Sequence, residues 1–282
     1  MSDGMKGKTA EPMHLHVDAD PGLSRAAQPL LLLHGFTQNG GMWKDVRSQL
    51  RIFHPDAASA AVDLPGHGRS PAPADPGAYS LESCTRALLA VLDRLGVRQA
   101  WVAGYSMGGR AALHLAAHHP DRVAGLVLIS TTAGLEVEAE RESRVVSDEA
   151  LARRIETEGV APFIDYWLSQ DLLQSLRRLA PAEYAAMRQE RLDNRPEGLA
   201  GSLRGMGTGR MTPLWRRLET MSLPALVLAG EEDEKYSALA RRLARVLIAG
   251  NLRVLSRLGH SLPTEAPREV AQSIARFLNA QS

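Results

Sequence analysis

Gly104-Tyr105-Ser106-Met107-Gly108 fits the pattern G-x-S-x-G, with an apolar run ending at Ala103 and a helical run beginning at Met107. That setting is what the motif requires: the serine sits on a strained strand-to-helix turn, and the glycines leave space for it. The helix that follows aims its amino end at developing negative charge. A serine hydroxyl is unreactive at its own pKa and needs a base. Of nine histidines, His260 stands in Arg257-Leu258-Gly259-His260-Ser261, a predicted loop between the last strand and the last helix. Serine, then acid, then histidine is one of the chain orders this chemistry uses.

The acid must orient the imidazole and stabilise its charged form. Glu231-Glu232-Asp233-Glu234 follows the apolar run that ends at Gly230. Asp233 is preferred because it stands beyond the tight turn and has a short side chain, with Glu232 and Glu234 left open. The segment after the preceding strand, Ser130-Thr131-Thr132-Ala133, offers no acid. In His34-Gly35-Phe36-Thr37, the N–H of Phe36 is expected to join that of Met107 as an oxyanion donor. His34 is read as holding its loop by hydrogen bonds, and His67 as shaping a Pro-Gly-His-Gly turn. His114, His118 and His119 are read as surface or end-of-helix residues. No His/Cys/carboxylate cluster has ligand spacing and no phosphate-cradling loop ends in Lys-Ser/Thr, so no metal or other cofactor is expected.

These residues need a scaffold, and short apolar runs alternate with longer amphipathic ones, the pattern of a mostly parallel sheet flanked by helices. Strands are predicted at Leu30–Leu33, Ala57–Val62, Ala100–Ala103, Val123–Ile129, Ala225–Ala229 and Leu252–Leu255. Helices are predicted at Leu81–Leu95, stopped by Gly96, at Met107–His118 and at Ala266–Leu278. In such a sheet ligands bind beyond the carboxyl ends of the strands. Gly134 to Arg217 breaks the alternation, with no clear strand and helical runs at Val160–Leu168 and Pro181–Leu192. The expected organisation is a tail over residues 1–12, a core over 13–133 and 218–282, and an inserted helical cap over 134–217.

A formal charge of +1 on 282 residues provides no overall field to recruit nucleic acid or an anionic membrane. The single Cys84 precludes an internal disulfide. Met1 to Pro12 lacks the apolar core of a signal peptide, and no apolar run approaches the roughly 20 residues of a membrane span. The expectation is a cytoplasmic protein acting on a small molecule.

His34-Gly35-Phe36, Asp63-Leu64-Pro65-Gly66-His67-Gly68 and the run from Gly104 to Arg110 resemble the lid-bearing α/β-hydrolases. Within them the chain is similar to the 2-succinyl-6-hydroxy-2,4-cyclohexadiene-1-carboxylate synthases, lyases of menaquinone biosynthesis, from about Leu30 onward. Arg110 directly after the elbow glycines narrows the likeness. So do Ala133-Gly134-Leu135, Arg141-Glu142-Ser143-Arg144 and Asp165-Tyr166-Trp167 in the cap, and Gly230 to Tyr236 in the acid loop. The resemblance implies an α/β-hydrolase fold and the elimination of pyruvate from an enolpyruvyl cyclohexene carboxylate, with Ser106, relayed to His260, as base. It also implies Arg110 and Arg144 as partners of substrate carboxylates, and Tyr105 and Trp167 packing against the ring or donating to it. The elbow equally fits a carboxylic-ester hydrolase working through an acyl-enzyme. A non-enzymatic use of the fold is disfavoured by the intact serine, histidine and acid.

Overall fold

In the computed structural model, which describes residues 11–281, the apolar runs form a seven-stranded sheet. The tail expected over residues 1–12 lies almost wholly outside the described residues. The strands are β1 (Val17–Ala19), β2 (Leu30–Leu33), β3 (Ser59–Val62), β4 (Ala100–Tyr105), β5 (Val123–Ile129), β6 (Ala225–Gly230) and β7 (Gly250–Leu255). Their order is β1-β3-β2-β4-β5-β6-β7, all parallel except β1, which pairs antiparallel with β3 in the register Val17 to Val62. Every residue of β2, β3, β4 and β6 is buried, as expected for strands covered on both faces. The edge strand β1 went unforeseen because three partly exposed residues, Val-Asp-Ala, carry no apolar run.

The helices are α1 (Lys44–Phe53), α2 (Leu81–Arg94), α3 (Met107–His118), α4 (Glu138–Glu158), α5 (Val160–Ser169), α6 (Pro181–Leu192), α7 (Pro196–Met206), α8 (Trp215–Leu218), α9 (Glu234–Val246), α10 (Leu262–Glu265) and α11 (Pro267–Asn279). Residues of α2, α3 and α9 pack into one apolar core, and those of α1 and α11 into another across the sheet. Helix α2 stops at Gly96 for a geometric reason. Gly96 takes φ +66°, the N–H of Val97 reaches the Leu92 carbonyl, and that of Gly96 reaches Asp93. This is a Schellman closure, which a residue without a Cβ forms at no steric cost.

Between β5 and β6 the described residues hold helices and no strand. A third apolar cluster joins Ala152 and Ile155 of α4, Phe163, Ile164 and Leu168 of α5, and Leu199 and Leu203 of α7. Met206, Met211, Leu214 and Trp215 instead pack into the core beneath α3, and Trp215 donates to the Gly134 carbonyl at 2.9 Å. Among the described residues no helix is long and apolar enough to cross a membrane.

Candidate active site

Chain direction places chemistry at one edge of the sheet. The carboxyl ends of β2, β4, β6 and β7 lead respectively into Phe36, Ser106, Asp233 and His260. From β2 the chain runs outward to β3 and then crosses back to β4, so the strand order reverses between β2 and β4. Phe36 and Ser106 flank that switch point, where an open parallel sheet leaves a crevice.

Ser106 adopts φ +51° and ψ −106° between β4 and α3, a conformation that costs a non-glycine residue about 1–3 kcal/mol. The strain holds because no side chain intervenes around it. A Cβ on Gly104 would collide with the Gly108 carbonyl, and one on Gly108 would collide with that of Leu33. The Ser106 N–H is tied to the Ile129 carbonyl at 2.8 Å, and its own carbonyl accepts from Thr131 Oγ1 at 2.7 Å.

Asp233 caps the amino end of α9, where its Oδ1 accepts from the Tyr236 N–H at 3.1 Å. Its Oδ2 accepts from His260 Nδ1 at 2.6 Å, and His260 Nε2 lies 3.1 Å from Ser106 Oγ. His260 is 2 % exposed and Asp233 8 %. The neighbouring acids point away from His260: Glu231 accepts from the Arg257 N–H, Glu232 pairs with Arg178 at 2.7 Å, and Glu234 is exposed on the first turn of α9. Of the four carboxylates, Asp233 alone touches the imidazole.

A cavity of about 280 Å³ opens beside Ser106, lined on the core side by Phe36, Met107, Arg110 and Tyr236 and on the cap side by Arg144 and Trp167. Met107 heads α3, so its N–H is among those that no helix carbonyl can satisfy. The Phe36 N–H has no carbonyl partner among the described residues. Trp167 meets the Phe36 ring edge-to-face at 5.3 Å and stacks on Phe163 at 6.1 Å.

Arg110 is buried, with Nη1 donating to the Met206 carbonyl. Burial, reinforced by the charge of Arg144, pulls it down to about 10. Arg144 donates Nε to Asp148 Oδ1 at 2.7 Å, leaving its terminal donors without a protein partner among the described residues. Asp148, whose side chain is 3 % exposed, was not singled out from the sequence; burial raises its pKa against the pull of Arg144, and its Oδ2 has no partner among the described residues. Tyr236, also unassigned, brings its ring to 4.5 Å from His260. The i,i+4 spacing of Arg144 and Asp148 signals a helix pair; their position over the serine depends on how α4 docks.

Tyr105 requires a correction, since it does not line the cavity. Residues alternate faces along β4, and Trp101, Ala103 and Tyr105 enter the core shared with α1 and α11, opposite the cavity-side α3. The ring packs behind His260 at 5.4 Å and against Gly35. His114 also departs from expectation: it is buried, hydrogen-bonded to Thr85 at 2.8 Å, and pushed by burial down to about 4. His34 donates Nδ1–H to the Gly35 carbonyl at 2.8 Å, and its Nε2 accepts the Leu64 N–H at 2.9 Å. Both ring nitrogens are thereby occupied in holding the loop. Among the described residues no group of His, Cys, Asp and Glu could hold a metal ion.

Comparison with known proteins agrees with this arrangement. Residues 28–262 match the alpha/beta hydrolase fold. A protein of Bacillus subtilis (strain 168), provisionally named a 2-succinyl-6-hydroxy-2,4-cyclohexadiene-1-carboxylate synthase, is 36% identical over 93% of this chain and 94% of its own length. The synthase of that name from Serratia proteamaculans (strain 568) is 30% identical over 88% of this chain and 92% of its own. The structure of MenH from S. aureus superposes with a TM-score of 0.88 at 30% identity, covering 95% of this chain and 98% of that one. By sequence and by fold, the chain belongs to the alpha/beta hydrolase fold family, in the branch of these synthase-named relatives.

Proposed function

We propose that the protein is a carbon–oxygen lyase, a 2-succinyl-6-hydroxy-2,4-cyclohexadiene-1-carboxylate synthase, that eliminates pyruvate from an enolpyruvyl cyclohexene carboxylate. The observation that carries this reading is the pair Arg110 and Arg144 facing one cavity with Ser106. An ester hydrolase needs the serine and oxyanion donors but has no need of two guanidinium groups, whereas a substrate rich in carboxylates does.

In this mechanism Ser106 Oγ takes the ring proton while its own proton passes to His260 Nε2, and Asp233 stabilises the resulting imidazolium. Negative charge develops on the conjugated acid of the substrate and is met by the N–H groups of Phe36 and Met107 and by the free donors of the arginines. The ring C–H pair forms the new C=C bond as the C–O bond to the enolpyruvyl group breaks. The departing enolate takes the proton held on His260 Nε2 to become pyruvate, which returns the enzyme to its starting protonation state. Trp167 and Tyr236 supply apolar walls that exclude water from the transfer.

The test is to generate the enolpyruvyl precursor with the preceding enzyme and follow pyruvate and the absorbance of the conjugated diene. Acceleration well beyond the spontaneous elimination, lost in Ser106→Ala, is the expected result. Rapid turnover of short acyl esters with no effect on the precursor would transfer the site to the hydrolase reading.

A further inference from the structure

Glu265 ends α10, outside the cavity lining, yet its side chain is only 5 % exposed. Its Oε2 accepts the N–H of Gly259 at 2.8 Å and its Oε1 accepts that of Ser261 at 2.9 Å. Those two residues flank His260, so one carboxylate grips the backbone on both sides of the imidazole. The cap reaches the same group. Ser175, in the 3-10 segment Asp171–Arg178, donates Oγ to Glu265 Oε1 at 2.8 Å, and Arg178 Nη2 stands 3.6 Å from Oε2. Gly259 permits this approach, because a Cβ there would collide with Ser175 Oγ.

A carboxylate that reaches back to the N–H at the head of its own helix is a familiar capping device, and it would account for the bond to Ser261. It does not account for the bond to Gly259, which lies before His260, or for the serine from the cap. We propose that Glu265 is the positioning residue for His260. Two charge-assisted hydrogen bonds, each stronger than a neutral one, set the loop backbone. The loop in turn sets the imidazole between Asp233 Oδ2 and Ser106 Oγ, at 2.6 and 3.1 Å. The inference rests on the serine–histidine–acid reading of the site and is independent of the substrate.

A fluorophosphonate probe tests it on the full-length protein, since labelling of Ser106 requires an aligned His260 whatever the natural substrate is. Glu265→Gln keeps the side-chain size but turns an NH2 group against one of the two loop N–H groups. Labelling and kcat should both fall by about tenfold or more, because sub-ångström misalignment is costly, with KM held within about twofold and an unchanged circular dichroism spectrum. A folded Glu265→Gln protein labelled at the wild-type rate would overturn the proposal. Should the glutamine variant fail to fold, Glu265→Asp, one methylene too short to span both N–H groups, carries the same expectation and the same refutation. Wild-type labelling without any effect on the enolpyruvyl precursor would remove the lyase reading alone and leave this one standing.

Discussion

Asp233 illustrates how far a single residue can be read. A short acid just past a strand-terminating glycine has the position of a helix N-cap, and the structure uses it as one while its second oxygen engages His260. Asp233→Asn should therefore lower kcat on the order of 10⁴-fold by spoiling the histidine tautomer. Glu232→Gln breaks only an exposed pair with Arg178 and should cost less than about fivefold. Comparable losses from the two variants in steady-state kinetics would reject the assignment of the acid. If Arg110 binds a substrate carboxylate as proposed, Arg110→Ala should reduce kcat/KM for the lyase reaction by about 10–100-fold, with a smaller loss on a short neutral ester. Equal losses on both substrates would mean that Arg110 acts through its bond to Met206 and not through the substrate. Tyr105 was misjudged because adjacency to the serine says nothing about which face of β4 the ring takes.

At the scale of elements, the cap holds the Phe36-Thr37 loop as well as roofing the cavity. Thr37 takes φ +68°, unusual for a β-branched residue. It is clamped from the end of α6: Arg191 Nη1 donates to its Oγ1, and Asn194 Nδ2 donates to its carbonyl at 2.7 Å. Asn194 Oδ1 also accepts the Gly68 N–H at 2.9 Å, tying the two loops together. Releasing this clamp should loosen the neighbouring Phe36 N–H. Asn194→Ala is thus expected to lower kcat by about tenfold or more with KM nearly constant, and a change confined to KM would argue against it. The elbow itself is steric. Gly104→Ala forces a Cβ against the Gly108 carbonyl and should cost about 3 kcal/mol in thermal or urea unfolding. None of the contacts between α6 and Thr37 has a motif, and so the clamp was invisible before the fold was known.

For the whole molecule, buried titratable groups set how stability responds to pH. Burial pushes His34 down to about 4 and His67 down to about 3, below the ordinary value of 6.5. Both stay neutral in the fold while the unfolded chain protonates, so their contribution is complete above about pH 6.5 and is lost as pH falls toward 4, by about 3 kcal/mol for His34. Glu190 opposes this, because burial raises it to about 7 and its protonation relieves the fold as pH drops from 7 to 4.5. Glu190→Gln should accordingly melt higher than wild type at pH 8 and decline more steeply on acidification. Parallel melting curves across that range would refute the assignment. The sequence alone determined the alternating α/β plan, the elbow at Ser106, the loop carrying His260 and the segment holding the acid, because each is dictated by local patterning of apolar, glycine and capping residues. Tertiary structure alone decided how Arg110 and Arg144, which the resemblance implied as substrate partners, come to line one cavity, that Tyr105 lies behind His260, and that Asp148, Tyr236 and Glu265 stand near the chemistry. Those facts depend on the docking of α4 and of the loop before α10 across long stretches of chain, and no local periodicity encodes that distance.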